Sequence, residues 1–134
     1  MTEENKKKNI KAELEQAEEV FRGAVALKEN GFFKDAVSRF YYAAFHTLRA
    51  ALLTKGLEPK THEGCDRLLH RDFVKPGLIE MEAARIFSTL MKYREESDYN
   101  PFYTFTKEDC NSIEAETRRF IDDLRGYIKR AGYE

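Results

Sequence analysis

Hydrophobic positions recur in steps of three and four along most of the chain, and the pattern is densest over residues 32–55, FFKDAVSRFYYAAFHTLRAALLTK. This stretch holds no Gly or Pro and is closed by Gly56. Wound as an α-helix at about 100° per residue, it sorts its side chains into three arcs. Phe33, Val37, Phe40, Tyr41, Ala44, Leu48 and Leu52 form one wide apolar arc. Ser38, Arg39, Tyr42, His46 and Arg49 form a second, with the last four along one line. Ala36, Ala43 and Ala50, interleaved with Thr47 and Thr54, form a third that a neighbouring helix can approach closely. A helix polar on only one narrow line is packed on most sides.

The flanking segments repeat this rhythm. Ile10, Leu14, Ala17, Phe21 and Ala24 predict a first helix from near Asn9 to Asn30-Gly31, with residues 1–9 frayed because Lys6, Lys7 and Lys8 oppose the helix dipole. The short Asn30-Gly31 turn makes the first two helices antiparallel neighbours. After a loop around Pro59, Thr61 caps a short helix over 62–73 that Pro76-Gly77 ends. Ile79, Ala83, Ile86, Leu90 and Tyr93 predict a helix over 78–96. Residues 97–105, SDYNPFYTF, then leave the helix while anchoring aromatic rings on the bundle. Thr106 and Asp109 form a cap for a last helix over 107–131 with Ile113, Phe120, Leu124 and Tyr127 inward. The expectation is an all-α, up-and-down four-helix bundle with an additional short helix, as one domain over 1–134.

Composition narrows the function classes. Formal net charge is −1, so no whole-molecule field attracts nucleic acid, and any such site is a local patch. Cys65 and Cys110 lie far apart without metal-ligand spacing, which reads as reduced thiols in a cytoplasmic protein. The longest apolar run, Phe40 to Phe45, is too short to span a bilayer, and the sequence predicts neither a signal peptide nor a membrane segment. His62, Glu63, Cys65, Asp66 and His70 match no zinc pattern, so no metal and no cofactor are expected. Phosphate-loop, dinucleotide and serine-hydrolase motifs are absent. Arg67, Arg71 and Lys75 recur every four residues, but Asp66 and Asp72 beside them mark a solvated face.

Arg94 stands apart from these. It continues the line of Phe87 and Leu90, so its guanidinium points toward the packed side and needs acceptors there. Asp98, one turn later, is one partner, and His46 and Tyr42 on the central helix are others, which would make a buried polar network.

Four stretches carry a resemblance: S-R-F-Y-Y-A-A-F-H-T-L-R-A-A-L-L at 38–53, K-G-L-E-P-K-T-H at 55–62, F-V-K-P-G at 73–77 and R-E-E-S-D-Y at 94–99. In this order and spacing the chain resembles the HEPN domain family, in its uncharacterised prokaryotic branch, over roughly residues 15–128. The resemblance implies a helical bundle that dimerises and a partnership with a minimal nucleotidyltransferase in a toxin and antitoxin pair. Active members of that family resemble one another in an Arg followed, after four to six residues, by His, and cleave RNA without metal. Here Arg94 matches the Arg, and Tyr99 occupies the His position. The family's AMP-accepting Tyr lies two residues beyond that His, where this chain has Pro101.

Three readings follow. The first is a nucleotide- or RNA-binding HEPN module, the toxin-like effector or substrate-binding partner of a minimal nucleotidyltransferase, with Arg39, Tyr42, Arg94 and Asp98 in its cleft. The second is a metal-independent ribonuclease with Arg94, Tyr99 and His46 as catalytic groups, in which Tyr99, titrating near 10, is a poor base at neutral pH. The third is a non-catalytic interaction scaffold.

Overall fold

A computed structural model describes residues 1–134. Five α-helices form: α1 Glu3–Glu29, α2 Phe33–Thr54, α3 His62–Leu69, α4 Met81–Tyr99 and α5 Lys107–Arg130, with one π turn at His70–Val74. The four long helices run alternately up and down. Lys34 at the start of α2 donates to the Asn100 carbonyl just past α4, so α2 and α4 are antiparallel. Lys28 at the end of α1 bonds Asn111 and Glu114 near the start of α5, while Lys6 reaches Tyr133, so α1 and α5 are antiparallel too. The short helix α3 and its π turn cross between α2 and α4.

The central helix is packed as its arcs require. Val37, Phe40, Tyr41, Ala44, Leu48 and Leu52 are fully buried, and α2 touches α1, α4 and α5. Ala36, Ala43 and Ala50 are also sealed from solvent, and Ala43 packs with Val20 of α1 and Ile121 of α5. That stripe is the close approach between helices of one chain, not a surface between two chains. The chain also turns where glycine permits: Gly31 has φ +82°, which closes α1 and lets α2 fold back along it.

Several boundaries differ from the sequence pattern. α1 begins at Glu3, not near Asn9, because Thr2 Oγ1 accepts from the Asn5 amide and Lys6 is drawn out of the lysine run to the Thr54 carbonyl. α4 keeps Ser97, Asp98 and Tyr99 helical and stops at Asn100, the residue that Pro101 restricts. Ser97 fastens this last turn by donating to the Lys34 carbonyl. Of the expected ring anchors in the following loop only Phe105 is buried, and Phe102 is 91% exposed. The end of the short helix widens into the π turn, which carries Phe73 inside to meet the Tyr127 ring edge-on at 5.1 Å. The Thr61 cap and the Thr106–Asp109 capping box form as the sequence indicates.

No helix of the structure is long and apolar enough to cross a membrane. The Ala43 contact gives the first prediction. Ala43→Leu forces extra volume between α1, α2 and α5 and lowers stability by about 1–3 kcal/mol in urea unfolding; an unchanged midpoint would contradict the packing described.

Candidate anion site around Arg94

Arg94 is 8% exposed, and its guanidinium carbon lies 5.3 Å from the centre of the Tyr41 ring. A cation over an aromatic face is attracted by the ring quadrupole, which partly replaces lost hydration. Its one ion pair, Nη1 to Asp98 Oδ2, is 3.8 Å, well beyond charge-assisted hydrogen-bond length. Nε is sealed from solvent and has no hydrogen-bond partner. This site therefore holds positive charge with unused donors.

The imidazole beside it is that of His62, the first residue of α3. Its Nδ1 lies 2.5 Å from the Tyr41 hydroxyl. Its ring lies against Phe45 at 4.5 Å, tilted by 30°, and meets Tyr42 edge-on at 6.1 Å. The Thr61 cap starts α3 at this position and so fixes where the ring stands. Partial burial, and then the charge of Arg94, push the His62 pKa below its ordinary 6.5, so it is neutral near pH 7. Burial pushes the Tyr41 phenol far above its ordinary value, so it keeps its proton.

His46 lies elsewhere in the polar seam. Its Nδ1 is 3.3 Å from Glu13 Oε2 of α1, and Arg49 Nε is 3.4 Å from the same oxygen. His46 thus belongs to a seam between α1 and α2 and makes neither hydrogen bond nor ion pair with Arg94. Tyr99 is 75% exposed at the end of α4 and makes neither a hydrogen bond nor a cation–ring contact with Arg94. The structure does not assemble Arg94, Tyr99 and His46 into one cluster. Tyr42 meets Tyr41 and His62 through its ring, and the Arg39 guanidinium lies 5.7 Å from the Tyr42 ring centre. Of the groups named from sequence, Arg94 and Asp98 pair directly, Tyr42 joins them through the Tyr41 ring, and Arg39 reaches only the Tyr42 ring.

Sequence reasoning missed His62 and the hydroxyl of Tyr41. His62 stood in a metal-like cluster that the fold disperses: His70 pairs with Asp66 at 3.6 Å, while Cys65 is buried. No group of three or more His, Cys, Asp or Glu side chains is placed to hold a metal ion. Burial pushes the Cys65 and Cys110 thiols up to about 11, which keeps both protonated and poorly nucleophilic. Beside the Phe45 ring, on α2 and the loop after it, a groove of about 600 Å³ is lined by Phe45, Arg49, Leu52, Leu57, Pro59 and Lys60.

Up-and-down helices around a buried inward arginine define a class of small helical-bundle domains. The HEPN domain model matches residues 10–127, and the chain belongs to this family. Among similar proteins is "Putative toxin MJ0605" of Methanocaldococcus jannaschii, 38% identical, covering 92% of this chain and 91% of the relative. "Putative toxin MJ0142" of the same organism is 27% identical over 91% of this chain and 83% of that protein. A "UPF0332 protein" of Thermotoga maritima is 30% identical over 92% of this chain and 94% of the relative.

The lowered His62 pKa has a consequence for stability. Below about pH 6.5 the unfolded chain protonates this imidazole before the folded chain does, so stability is full above that pH and falls as pH drops toward the lowered folded value. Urea midpoints compared between wild type and His62→Gln from about pH 7.5 to 5 should show the variant losing less stability on acidification. A wild type that gains stability relative to the variant over this range would contradict the neutral buried ring.

Proposed function

We propose that this chain is a nucleotide- or RNA-binding HEPN module, the toxin-like half of a pair with a minimal nucleotidyltransferase, acting in the cytoplasm as a homodimer. One observation carries the reading: a guanidinium only 8% exposed, whose Nη groups make a single long ion pair and no hydrogen bond. Phosphate supplies what it lacks, oxygen acceptors with negative charge in a geometry that matches the guanidinium fork. Half-buried aromatic rings beside it, Tyr42 and Phe45, offer faces for a base, and the groove next to Phe45 offers room. The names of the Methanocaldococcus relatives support the toxin-like assignment, since the similarity covers most of both chains. With the Ala43 stripe consumed inside the chain, the dimer surface lies elsewhere.

A metal-independent ribonuclease is the second reading, in which the buried Arg94 supplies the cation for charge developing on the phosphate. An interaction scaffold with no nucleotide affinity gives no reason for a buried cation that is only partly paired.

Calorimetric titration with ATP and with a short single-stranded RNA tests the first reading. One of these ligands should bind to wild type and bind at least about tenfold more weakly to Arg94→Ala of unchanged helicity. No heat from either ligand, or equal binding by the variant, would sink it. Incubation of the same protein with mixed RNA in EDTA tests the second: cleavage abolished by Arg94→Ala supports the enzyme, and intact RNA at every protein concentration removes it.

A further inference from the structure

The contact between Tyr41 and His62 admits two proton arrangements. Either the Tyr41 hydroxyl donates to Nδ1, or Nδ1–H donates to the phenol oxygen. In the second, the phenol hydrogen needs an acceptor of its own. No acceptor other than Nδ1 lies within hydrogen-bond reach of the hydroxyl: the Arg94 guanidinium over the ring has only donors, Tyr42, Phe45 and Phe87 present rings, and Glu63 and Cys65 act on it only at longer range. Tyr41 is fully buried, so water does not supply that acceptor. Only the first arrangement satisfies both groups. A neutral imidazole that accepts at Nδ1 carries its hydrogen on Nε2. Nε2 has no partner within the chain, and it is not among the atoms sealed from solvent without one.

We infer that His62 is a second anion-binding residue of this site, a neutral Nε2–H donor to the same oxyanion that Arg94 attracts, with Tyr41 as the positioning residue that sets its tautomer. The inference rests on the proposal that the Arg94 cleft receives a phosphate. It also gives that cleft a chemical character. A base that takes a proton from a ribose hydroxyl needs a bare Nε2, whereas this tautomer offers only a donor there, because Nδ1 is occupied by Tyr41. The ring recognises an oxyanion and does not deprotonate a substrate. Tyr41, although buried like any core residue, acts on the ligand through the histidine.

Nuclear magnetic resonance on the ¹⁵N-labelled full chain reads the tautomer directly. Near neutral pH, long-range ¹H–¹⁵N correlations should show the His62 Nε2 protonated and Nδ1 bare, and Tyr41→Phe should shift this ring toward a mixture. A ring protonated at Nδ1, or charged at neutral pH, would overturn the inference without any ligand present. Titration with inorganic phosphate and with a short single-stranded RNA then compares two variants. In His62→Gln the amide N–H replaces the Nε2 donor, and binding should stay within about threefold of wild type, whereas His62→Phe, which keeps the ring and loses the donor, should bind about tenfold more weakly. If His62→Phe binds as wild type does while Arg94→Ala does not, His62 has no part and the phosphate cleft stands. If Arg94→Ala also binds as wild type, the cleft itself is refuted.

Discussion

A guanidinium taken into a protein interior costs several kcal/mol unless the surroundings answer it, and Arg94 is answered only in part. The Tyr41 ring face lies under it and Asp98 stands off at 3.8 Å. Helix α4 has no freedom to rotate this charge away. Ala83, Ile86, Phe87 and Leu90 are all buried on the same side, and turning Arg94 to water would expose them. Apolar burial therefore holds the cation in place. The site is a consequence of core packing as much as of polar contacts.

Helix α2 supplies the other wall because it is buried nearly all round. Tyr41 belongs to its apolar arc, and in the same residue a ring that fills the core ends in a hydroxyl that reaches α3. The α3 end of that bond depends on local structure. Thr61 Oγ1 accepts from the Gly64 amide at 2.8 Å, and a Cβ at Gly64 would meet that oxygen at 2.8 Å, so the cap admits glycine readily and larger residues only with a shift. A helix start of this tightness positions His62 over Phe45 and against Tyr41. Two helices and a capped third thus converge on one half-buried group of polar side chains.

The helices themselves were legible from spacing alone, since long proline-free runs whose apolar positions step by three and four bury one face only as helices, and single glycines such as Gly23 and Gly126 do not break that rhythm. Arg94 was legible for the same reason, as a cation on an apolar line. The imidazole was misplaced because sequence shows the arc of a side chain and not the identity of the neighbour. His46 shares a line with Arg39, Tyr42 and Arg49, but that line meets Glu13 of α1, which nothing in α2 announces. His62 was hidden by separation along the chain from Tyr41 and by acidic neighbours that suggested a solvated helix. A buried tyrosine hydroxyl in an apolar arc was the available signal, because a phenol in a core needs an acceptor from some other segment.

Asp98 decides how strongly this cation can act. A carboxylate in bidentate contact would neutralise Arg94 and compete directly with an incoming anion. At 3.8 Å, and at an exposed position one turn further along the same helix, Asp98 keeps the guanidinium oriented through charge and leaves its donors free. The desolvation of Arg94 is settled when the bundle folds, so a bound oxyanion gains attraction in a low-dielectric setting without a fresh penalty on the protein side. The exposed Tyr99 has no such advantage, because its hydroxyl must be ordered and desolvated at the moment of binding. If the site receives an anion as proposed, selectivity over a neutral ligand is a matter for the buried groups of α2, α3 and α4, and not for the tyrosine that occupies the motif position at the helix end.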